Sequence, residues 1–208
     1  MGTIWDLTRT IWEDMPMHPG KPQPVLKALA TPEREGYGMS EYRFWNHTGT
    51  HIDGQLHFVA GGRPLDRYPL ERFITTARVV KATGSPVTAS MLAAGLGDGF
   101  SGEAVVLVTG AYARWGTPGY FDFPVLSEDG ARWLVAHGVG LLGIDAASVD
   151  PVDTVDYPIH HILLEGDCLL IEDLAYTPDL PDRFRLIALP IKVGGSNGDP
   201  ARVVGLPL

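Results

Sequence analysis

Short apolar runs, separated by glycine and proline, dominate the hydrophobic pattern of this chain. Residues 104–109 (Ala-Val-Val-Leu-Val-Thr) and 139–144 are almost continuously apolar, as is typical of strands that are buried on both faces. A rigid proline-glycine turn is predicted at residues 15–20. The pattern predicts further strands at residues 5–11, 42–58, 77–82, 168–171 and 186–193.

Two segments have the pattern of a helix. Residues 127–137 begin with Ser127, whose hydroxyl can cap the first turn, and end before Gly138. A second helix is predicted over residues 159–164 and should end near Gly166. Because the predicted strands outnumber the helices, the fold class that we expect is a mixed α/β domain.

Composition and charge narrow the class of protein. The chain of 208 residues is 45% hydrophobic and 20% charged, which is typical of a globular protein and permits a single domain over residues 1–208. Its formal net charge of −9 disfavours nucleic acid and anionic membranes as partners. We see neither a secretory signal nor a bilayer-spanning apolar run, so a cytoplasmic location is expected. Cys168, the single cysteine, excludes an intramolecular disulfide.

Histidine and aspartate are concentrated at residues 47–57. Alternate residues of a strand share a face, so four odd-numbered side chains of this segment would lie together. They are His47, His51, Asp53 and His57. A helix would also align two of these histidines, but the glycines and β-branched residues of the segment disfavour a helix. These side chains could simply form a solvated polar face of the strand. However, nitrogen and oxygen donors on one strand face are typical of a divalent metal site.

Two glycine motifs are better explained as turns than as binding sites. Residues 138–143 match the dinucleotide pattern G-x-G-x-x-G, but they follow a predicted helix and enter a strand, which is the reverse of what that site needs. Residues 194–198 match the nucleophile elbow G-x-S-x-G, yet no histidine follows His161 to complete a hydrolase triad. We predict a glycine-rich turn near a site there, with backbone amides available to an anion.

Several acidic and histidine residues keep two interpretations on local sequence alone. His160 and His161 are adjacent, so at most one of them is expected to join a site. Asp145 and Asp150 are best explained as caps or turn residues. Glu172 follows an apolar strand, where a metal ligand and a solvated acid are both common.

Residues 47–57 (His-Thr-Gly-Thr-His-Ile-Asp-Gly-Gln-Leu-His) resemble the His-x-Gly-Thr-His-x-Asp-x-Pro-x-His signature of the cyclase-like metal-dependent hydrolases. That family includes bacterial kynurenine formamidase, isatin hydrolase and trans-dienelactone hydrolase. The resemblance covers nearly the whole chain. Its other matching segments are residues 6–8, 15–20, 143–150, 160–174 and 200–204.

The resemblance implies a swivelling β/β/α fold and a site for one or two divalent ions, Zn²⁺ or Mn²⁺. Carried over by position, the first ion would be held by His47, His51 and Asp53. The second would be held by Asp53, His160 and Glu172, with Glu172 bridging. The resemblance thus selects His160 over its neighbour. His57 would be the catalytic acid and base, and an imidazole has an ordinary pKa near neutrality.

The implied activity is hydrolysis of a C–N amide bond by metal-activated water. The leading hypothesis is an arylformamidase that converts N-formylkynurenine to kynurenine and formate in tryptophan catabolism. The alternatives are hydrolysis of a cyclic amide or lactone and, in a different class, a non-catalytic metal-binding module. The expected partner is a small-molecule substrate, and the resemblance suggests a homodimer or homotetramer.

Aromatic and basic residues near the motif are candidates for contact with the substrate. His18 and Trp45 are expected to bind it, and Tyr42 and Phe58 are expected either to line an apolar pocket or to pack in the core. Three positions depart from the family pattern. Gln55 replaces the proline of the signature, His18 replaces a residue that is often aromatic, and Lys21 replaces a usual aspartate.

Overall fold

A mixed eight-stranded sheet forms the framework of the chain. The computed structural model describes residues 2–82, 84–97 and 99–208. The strands in this part of the chain are Trp5–Asp6 (β1), Val25–Ala30 (β2), Met39–Arg43 (β3), His51–Asp53 (β4), Ile74–Lys81 (β5), Ala104–Val108 (β6), Leu141–Ile144 (β7), Leu169–Glu172 (β8), Arg183–Pro190 (β9) and Gly198–Leu206 (β10). The α-helices are Pro32–Glu35 (α1), Ala89–Leu96 (α2), Glu128–Ala136 (α3) and Pro158–Glu165 (α4).

The large sheet closes on itself. Its strand order is β1-β10-β4-β8-β7-β6-β5-β9, and β9 pairs with β10 as well as with β5. The run β5-β6-β7-β8 is parallel, whereas β4, β9 and β10 join their neighbours antiparallel. Closure of the sheet leaves few free edges. A separate two-stranded hairpin, β2-β3, lies outside this sheet.

Both faces of the parallel strands are buried, which explains their continuous apolar sequences. Along β6, Val105 and Leu107 pack towards α2, α3 and α4, whereas Val106 and Val108 pack in the interior of the closed sheet. The helices contribute apolar side chains such as Leu134 to the outer cluster. The chain therefore has two apolar layers that share one sheet, and the mixed α/β class expected from the sequence is confirmed.

The predicted strands and helices with strong local signals are present. The strands β5 to β8 and the helices α3 and α4 all overlap their predicted ranges. The Ser127 hydroxyl accepts a hydrogen bond from the Gly130 N–H at 3.2 Å, as expected of a cap. The first strand is shorter than predicted, since β1 ends at Asp6, and β9 begins at Arg183 rather than at Leu186.

The α-helices and strands that were not predicted are the β2-β3 hairpin with its short helix α1, the helix α2 and the strand β10. Strand β10 begins Gly198-Asp199-Pro200, a composition that disfavours strands in general. It forms nevertheless because β1, β4 and β9 all pair with it, so that tertiary pairing overrides local preference. No helix in the described residues is both long and apolar enough to cross a membrane.

Candidate metal centre

The prediction of one strand from residue 42 to residue 58 is wrong. Strand β3 ends at Arg43, and β4 contains only His51–Asp53. Gly49 has a φ of +61°, which takes the chain out of the extended conformation before β4. His47 therefore lies in a loop, and His57 lies in a 3₁₀ turn formed by Gln55–His57. The four predicted side chains nevertheless line one cavity.

The register of β4 against its neighbours brings distant carboxylates and imidazoles together. His51 lies directly opposite Glu172 of β8, so that their side chains are close on one face. The His51 Nε2 atom is 3.6 Å from the Glu172 Oε2 atom and 3.4 Å from the Asp53 Oδ1 atom. His160, in α4, reaches the same place: its Nε2 atom is 3.3 Å from the Glu172 Oε1 atom.

Hydrogen bonds fix the tautomers of His51 and His160. The His51 Nδ1 atom is 2.7 Å from the carbonyl oxygen of Gly49, and the His160 Nδ1 atom is 2.7 Å from the Asp150 Oδ2 atom. Because both partners are acceptors, each Nδ1 must carry the hydrogen and donate it. In the neutral form of each ring, Nε2 is then left with a lone pair that faces the carboxylates, which is the arrangement found in metal-ligating histidines.

The His47 ring is held between Asn197 and Asp53. The Asn46 Nδ2 group donates to the Asn197 Oδ1 atom at 2.6 Å, so that oxygen is an acceptor, and the His47 Nε2 atom lies 3.1 Å from it. The His47 Nδ1 atom lies 2.6 Å from the Asp53 Oδ1 atom, so acceptor oxygens face both ring nitrogens. When Nε2 donates to Asn197, the lone pair of Nδ1 is left for a cation beside Asp53. The turn at residues 194–198 thus lies beside the site, as predicted. A Cβ atom on Gly198 would come within 2.4 Å of the His47 ring, so only glycine fits there.

The converging donors form two groups that share Asp53. In each group the donor atoms lie within 4.8 Å of one another. The groups are His47, His51 and Asp53, and Asp53, His160 and Glu172. Most of these donors are buried, and the Glu172 Oε1 atom has no hydrogen-bond partner in the described part of the chain. A buried carboxylate oxygen that lacks a hydrogen-bond partner and lies close to imidazole nitrogens is suited to bind a divalent cation. These residues are therefore chemically suited to hold a divalent metal ion.

The charges of the centre shift the pKa values of its members. Burial alone would lower the pKa of His51, but the Asp53 carboxylate and then Glu172 raise it to about 9. Burial likewise opposes protonation of His160, whereas its hydrogen bond with Asp150 and the nearby carboxylates of Asp53 and Glu172 raise its pKa. The pKa of Asp53 lies well below its ordinary value because His47 and His51 outweigh its burial. The centre therefore concentrates negative charge that favours cations.

His57 is different from the other histidines of the centre. Its ring stacks on the His47 ring with centroids 4.1 Å apart, and no hydrogen bond joins it to another side chain in the described residues. Burial lowers the pKa of His57 to about 4, below the near-neutral value expected from the sequence. His57 is therefore a neutral imidazole at physiological pH, with a ring nitrogen available to the cavity.

Aromatic side chains form the walls above the donors. The cavity has a volume of about 270 Å³, and Trp45, Phe58, Tyr120 and Tyr157 line it together with His18. Trp45 and Phe58 thus lie where a pocket was expected. Tyr42 does not, since it lies on β3 with 65% of its surface exposed, so it neither lines the pocket nor packs in the core.

The structure resolves the choices that local sequence left open. His160 is buried in the centre, whereas His161 is half-exposed and lies 3.4 Å from Glu165, one turn along α4. Asp145 accepts hydrogen bonds from the backbone N–H groups of Thr109, Gly110 and Tyr112, which confirms a turn-capping role.

Four residues at the centre were not assigned a functional role from the sequence. Asp150 caps α4 through the N–H groups of Ile159 and His160, and it also orients the His160 ring. For Asn197, the glycine motif at residues 194–198 pointed to the turn but not to this side chain. The Tyr120 hydroxyl donates to the Asp173 carboxylate at the cavity wall, and burial raises the pKa of Asp173 to about 7. Those two residues are 53 positions apart, beyond the reach of a local pattern.

Comparison with known proteins agrees with this geometry. A family model described as "Putative cyclase" matches residues 5–151, which is most of the chain and includes both β4 and the His47 loop. The chain belongs to the cyclase family. The family resemblance seen in the sequence is thereby confirmed.

Cyclase-family relatives match the chain over almost its full length. A kynurenine formamidase of Salinibacter ruber is 33% identical over 205 residues, with 96% of this chain and 95% of the relative covered. One of Maricaulis maris is 30% identical, with 98% of each chain covered. A solved structure titled a potential metal-dependent hydrolase with cyclase activity is 29% identical, has a TM-score of 0.84, and covers 100% of this chain and 99% of its own.

An isatin hydrolase bound to the product analogue thioisatinate has the same fold. Its TM-score is 0.86, its identity is 21%, and the match covers 98% of this chain and 91% of that chain. At this identity the likeness concerns the fold alone. Within the cyclase family, the closed mixed sheet with few helices is therefore the shared framework on which the centre is built.

Proposed function

We propose that this cyclase-family protein is a metal-dependent hydrolase that cleaves the formamide bond of N-formylkynurenine, giving kynurenine and formate. The observation that carries the proposal is the convergence of three hydrogen-bonded imidazoles and two buried carboxylates at the base of an aromatic-walled cavity. Relatives named kynurenine formamidase support the aryl formamide as substrate.

The donors are assigned to one or two ions. His47, His51 and Asp53 would hold the first, and Asp53, His160 and Glu172 would hold the second. A set of imidazole and carboxylate donors without thiolate suits Zn²⁺ or Mn²⁺. When bound there, such an ion polarises a carbonyl group and makes water more acidic, which is the chemistry that amide hydrolysis needs.

His57 is assigned the role of general base and general acid. As a neutral imidazole, it can accept a proton from water at the ring nitrogen that faces the cavity, and it can then donate that proton to the leaving aniline nitrogen. Its stacking on His47 fixes the plane of the ring beside the donors. His57 is not a member of either donor group, so proton transfer and cation binding are assigned to separate residues.

The walls of the cavity would hold the aryl ring. Trp45 and Phe58 offer flat apolar faces on which an aromatic substrate can pack, and His18 lies at the mouth. Gln55 replaces the signature proline without removing a donor: its Oε1 atom accepts the Arg63 N–H at 3.0 Å. A homodimer or homotetramer, a cytoplasmic location and a single domain over residues 1–208 stay predictions.

A substrate panel tests the assignment. We expect the metal-loaded protein to hydrolyse N-formylkynurenine with a higher kcat/KM than isatin or an aryl lactone. Release of kynurenine is followed by its near-ultraviolet absorbance, and ring opening of the other two substrates is followed in the same way. Faster opening of isatin or of the lactone would instead favour the cyclic amide or lactone hydrolase. Stoichiometric metal without turnover of any member would identify a binding module.

The hydrogen bond between Asn197 and His47 can be tested by mutation. Replacing Asn197 by alanine removes the acceptor of His47 Nε2, and we expect metal affinity to fall by roughly 10- to 100-fold. Asn197→Asp is the matched control, because an aspartate keeps an acceptor oxygen at this position and should retain most of the affinity. Affinity is measured by competition with a chromophoric chelator. Equal affinities for wild type and Asn197→Ala would contradict the role.

A further inference from the structure

Lys21 and Trp45 are solvent-exposed residues of the cavity lining, and they form the mouth of the cavity. Among the described residues that line it, Lys21 is the single lysine or arginine. Its Nζ atom lies 4.8 Å from the centroid of the Trp45 ring, a distance typical of a cation–π contact. The ion pairs formed by lysine and arginine side chains in the described chain do not include Lys21. Its charge is therefore held in place by an aromatic face and is available to a ligand.

A tight turn holds Lys21 in this position. The Lys21 N–H donates to the His18 carbonyl oxygen at 3.0 Å, Pro19 occupies the second position and Gly20 has a φ of +82°. Proline followed by a glycine of positive φ is the signature of a type II turn. The two ends of such a turn are close together, so His18 and Lys21 both stand at the mouth. The lysine is thus presented by rigid backbone rather than by a free loop.

The charge of the mouth is opposite to that of the floor. The floor carries the carboxylates of Asp53, Glu172 and Asp173, whereas the mouth carries an ammonium group backed by Trp45. A neutral aryl formamide could interact with the floor and the aromatic walls, but it would form no ion pair with the lysine at the mouth. An aryl formamide with an anionic side chain could interact with the floor, the aromatic walls and the lysine at the mouth.

We infer that Lys21 is a specificity-determining residue that binds a carboxylate on the side chain of the aryl substrate, while the ring packs against Trp45. This inference rests on the proposed function and narrows its substrate class to aryl formamides that carry an anion several bonds away from the formamide. Lys21 acts in binding only, and no bond of the substrate is made or broken there.

The test compares two substrates that differ only in this charge. They are 4-(2-formamidophenyl)-4-oxobutanoate and the corresponding primary amide, 4-(2-formamidophenyl)-4-oxobutanamide. Wild-type holoenzyme should prefer the acid, with the difference in KM rather than in kcat. Lys21→Met should reduce the ratio of the two kcat/KM values by about tenfold, the scale of one charge-assisted hydrogen bond. Lys21→Arg should keep most of the ratio.

Lys27→Met is the matched control. Lys27 is an exposed lysine on β2 that does not line the cavity, so its loss changes the net charge equally but should leave the ratio as in wild type. An equal loss for acid and amide in Lys21→Met would mean that Lys21 only supports the Trp45 wall, and it would overturn the inference. A ratio that falls equally in Lys27→Met would overturn it as well, because the effect would then come from net charge.

A binding measurement separates this inference from the proposed function. The deformylated pair, 4-(2-aminophenyl)-4-oxobutanoate and its primary amide, cannot be hydrolysed at a formamide, and their affinities are measured by calorimetry. If neither these formamides nor N-formylkynurenine is cleaved, the proposed function fails. A roughly tenfold preference for the acid that is lost in Lys21→Met would still support the carboxylate site. Equal binding of acid and amide to the wild-type protein would overturn it.

Discussion

Replacing His57 by alanine is expected to lower kcat by about 100-fold or more while the bound metal stays in place. The reason is that His57 lies outside both donor groups, yet its neutral ring faces the cavity beside them. Loss of the ring removes the group that accepts and returns the proton but leaves the donors intact. The measurement is steady-state kcat on N-formylkynurenine together with metal content per chain.

A remote histidine is the control for His57. His137 follows α3, where its ring stacks on Trp133 with centroids 3.7 Å apart, and it does not line the cavity. His137→Ala should therefore keep the wild-type kcat. An unchanged kcat in His57→Ala would remove His57 from the mechanism. A His57→Ala protein that has lost its metal would instead show that this ring helps to build the cation site.

The second large effect is expected from replacing His160, the first of two adjacent histidines in α4. His160→Ala removes a donor that faces both Asp53 and Glu172, so we expect metal affinity at that group to fall by more than about 100-fold, beyond the usual scale of an orienting residue. Turnover should fall with it. Equilibrium dialysis against buffered Zn²⁺ or Mn²⁺, followed by elemental analysis, measures the stoichiometry and affinity.

His161→Ala is the matched control at the next position. His161 is half-exposed and its contact with Glu165 is a surface pair of the kind that contributes little to stability. We therefore expect wild-type metal content and kcat. Thermal unfolding of both variants verifies that α4 is retained. Equal metal affinity in His160→Ala and His161→Ala would contradict the assignment of the second donor group.

Local sequence was sufficient to predict the strands and helices whose hydrophobic pattern matches their burial in the structure. Strands β6 to β8 are apolar because both of their faces are covered, and α3 has a capping serine at its start. Strand β10 could not be predicted in this way. Its first residues suit a turn, and it becomes a strand only because three neighbours supply its hydrogen bonds.

The sequence predicted which side chains lie close together, but not the backbone geometry that brings them together. The concentration of histidines in residues 47–57 was visible, but Gly49 and the turn after Gly54 limit β4 to three residues, so convergence comes from a loop, a strand and a 3₁₀ turn. The inclusion of His160 depended on the family resemblance. Contacts such as that between His47 and Asn197, 150 residues apart, depend on the closed sheet and leave no local signal.

Metal content followed through a cycle of chelation and reloading tests the central claim most directly. The purified protein is analysed for divalent ions, stripped with a chelator, and reloaded with Zn²⁺ or Mn²⁺, and hydrolysis of N-formylkynurenine is measured at each stage. We expect one or two ions per chain, loss of hydrolysis on stripping and its return on reloading. Full hydrolysis by exhaustively stripped protein, or a chain that retains no divalent ion after reloading, would contradict the account.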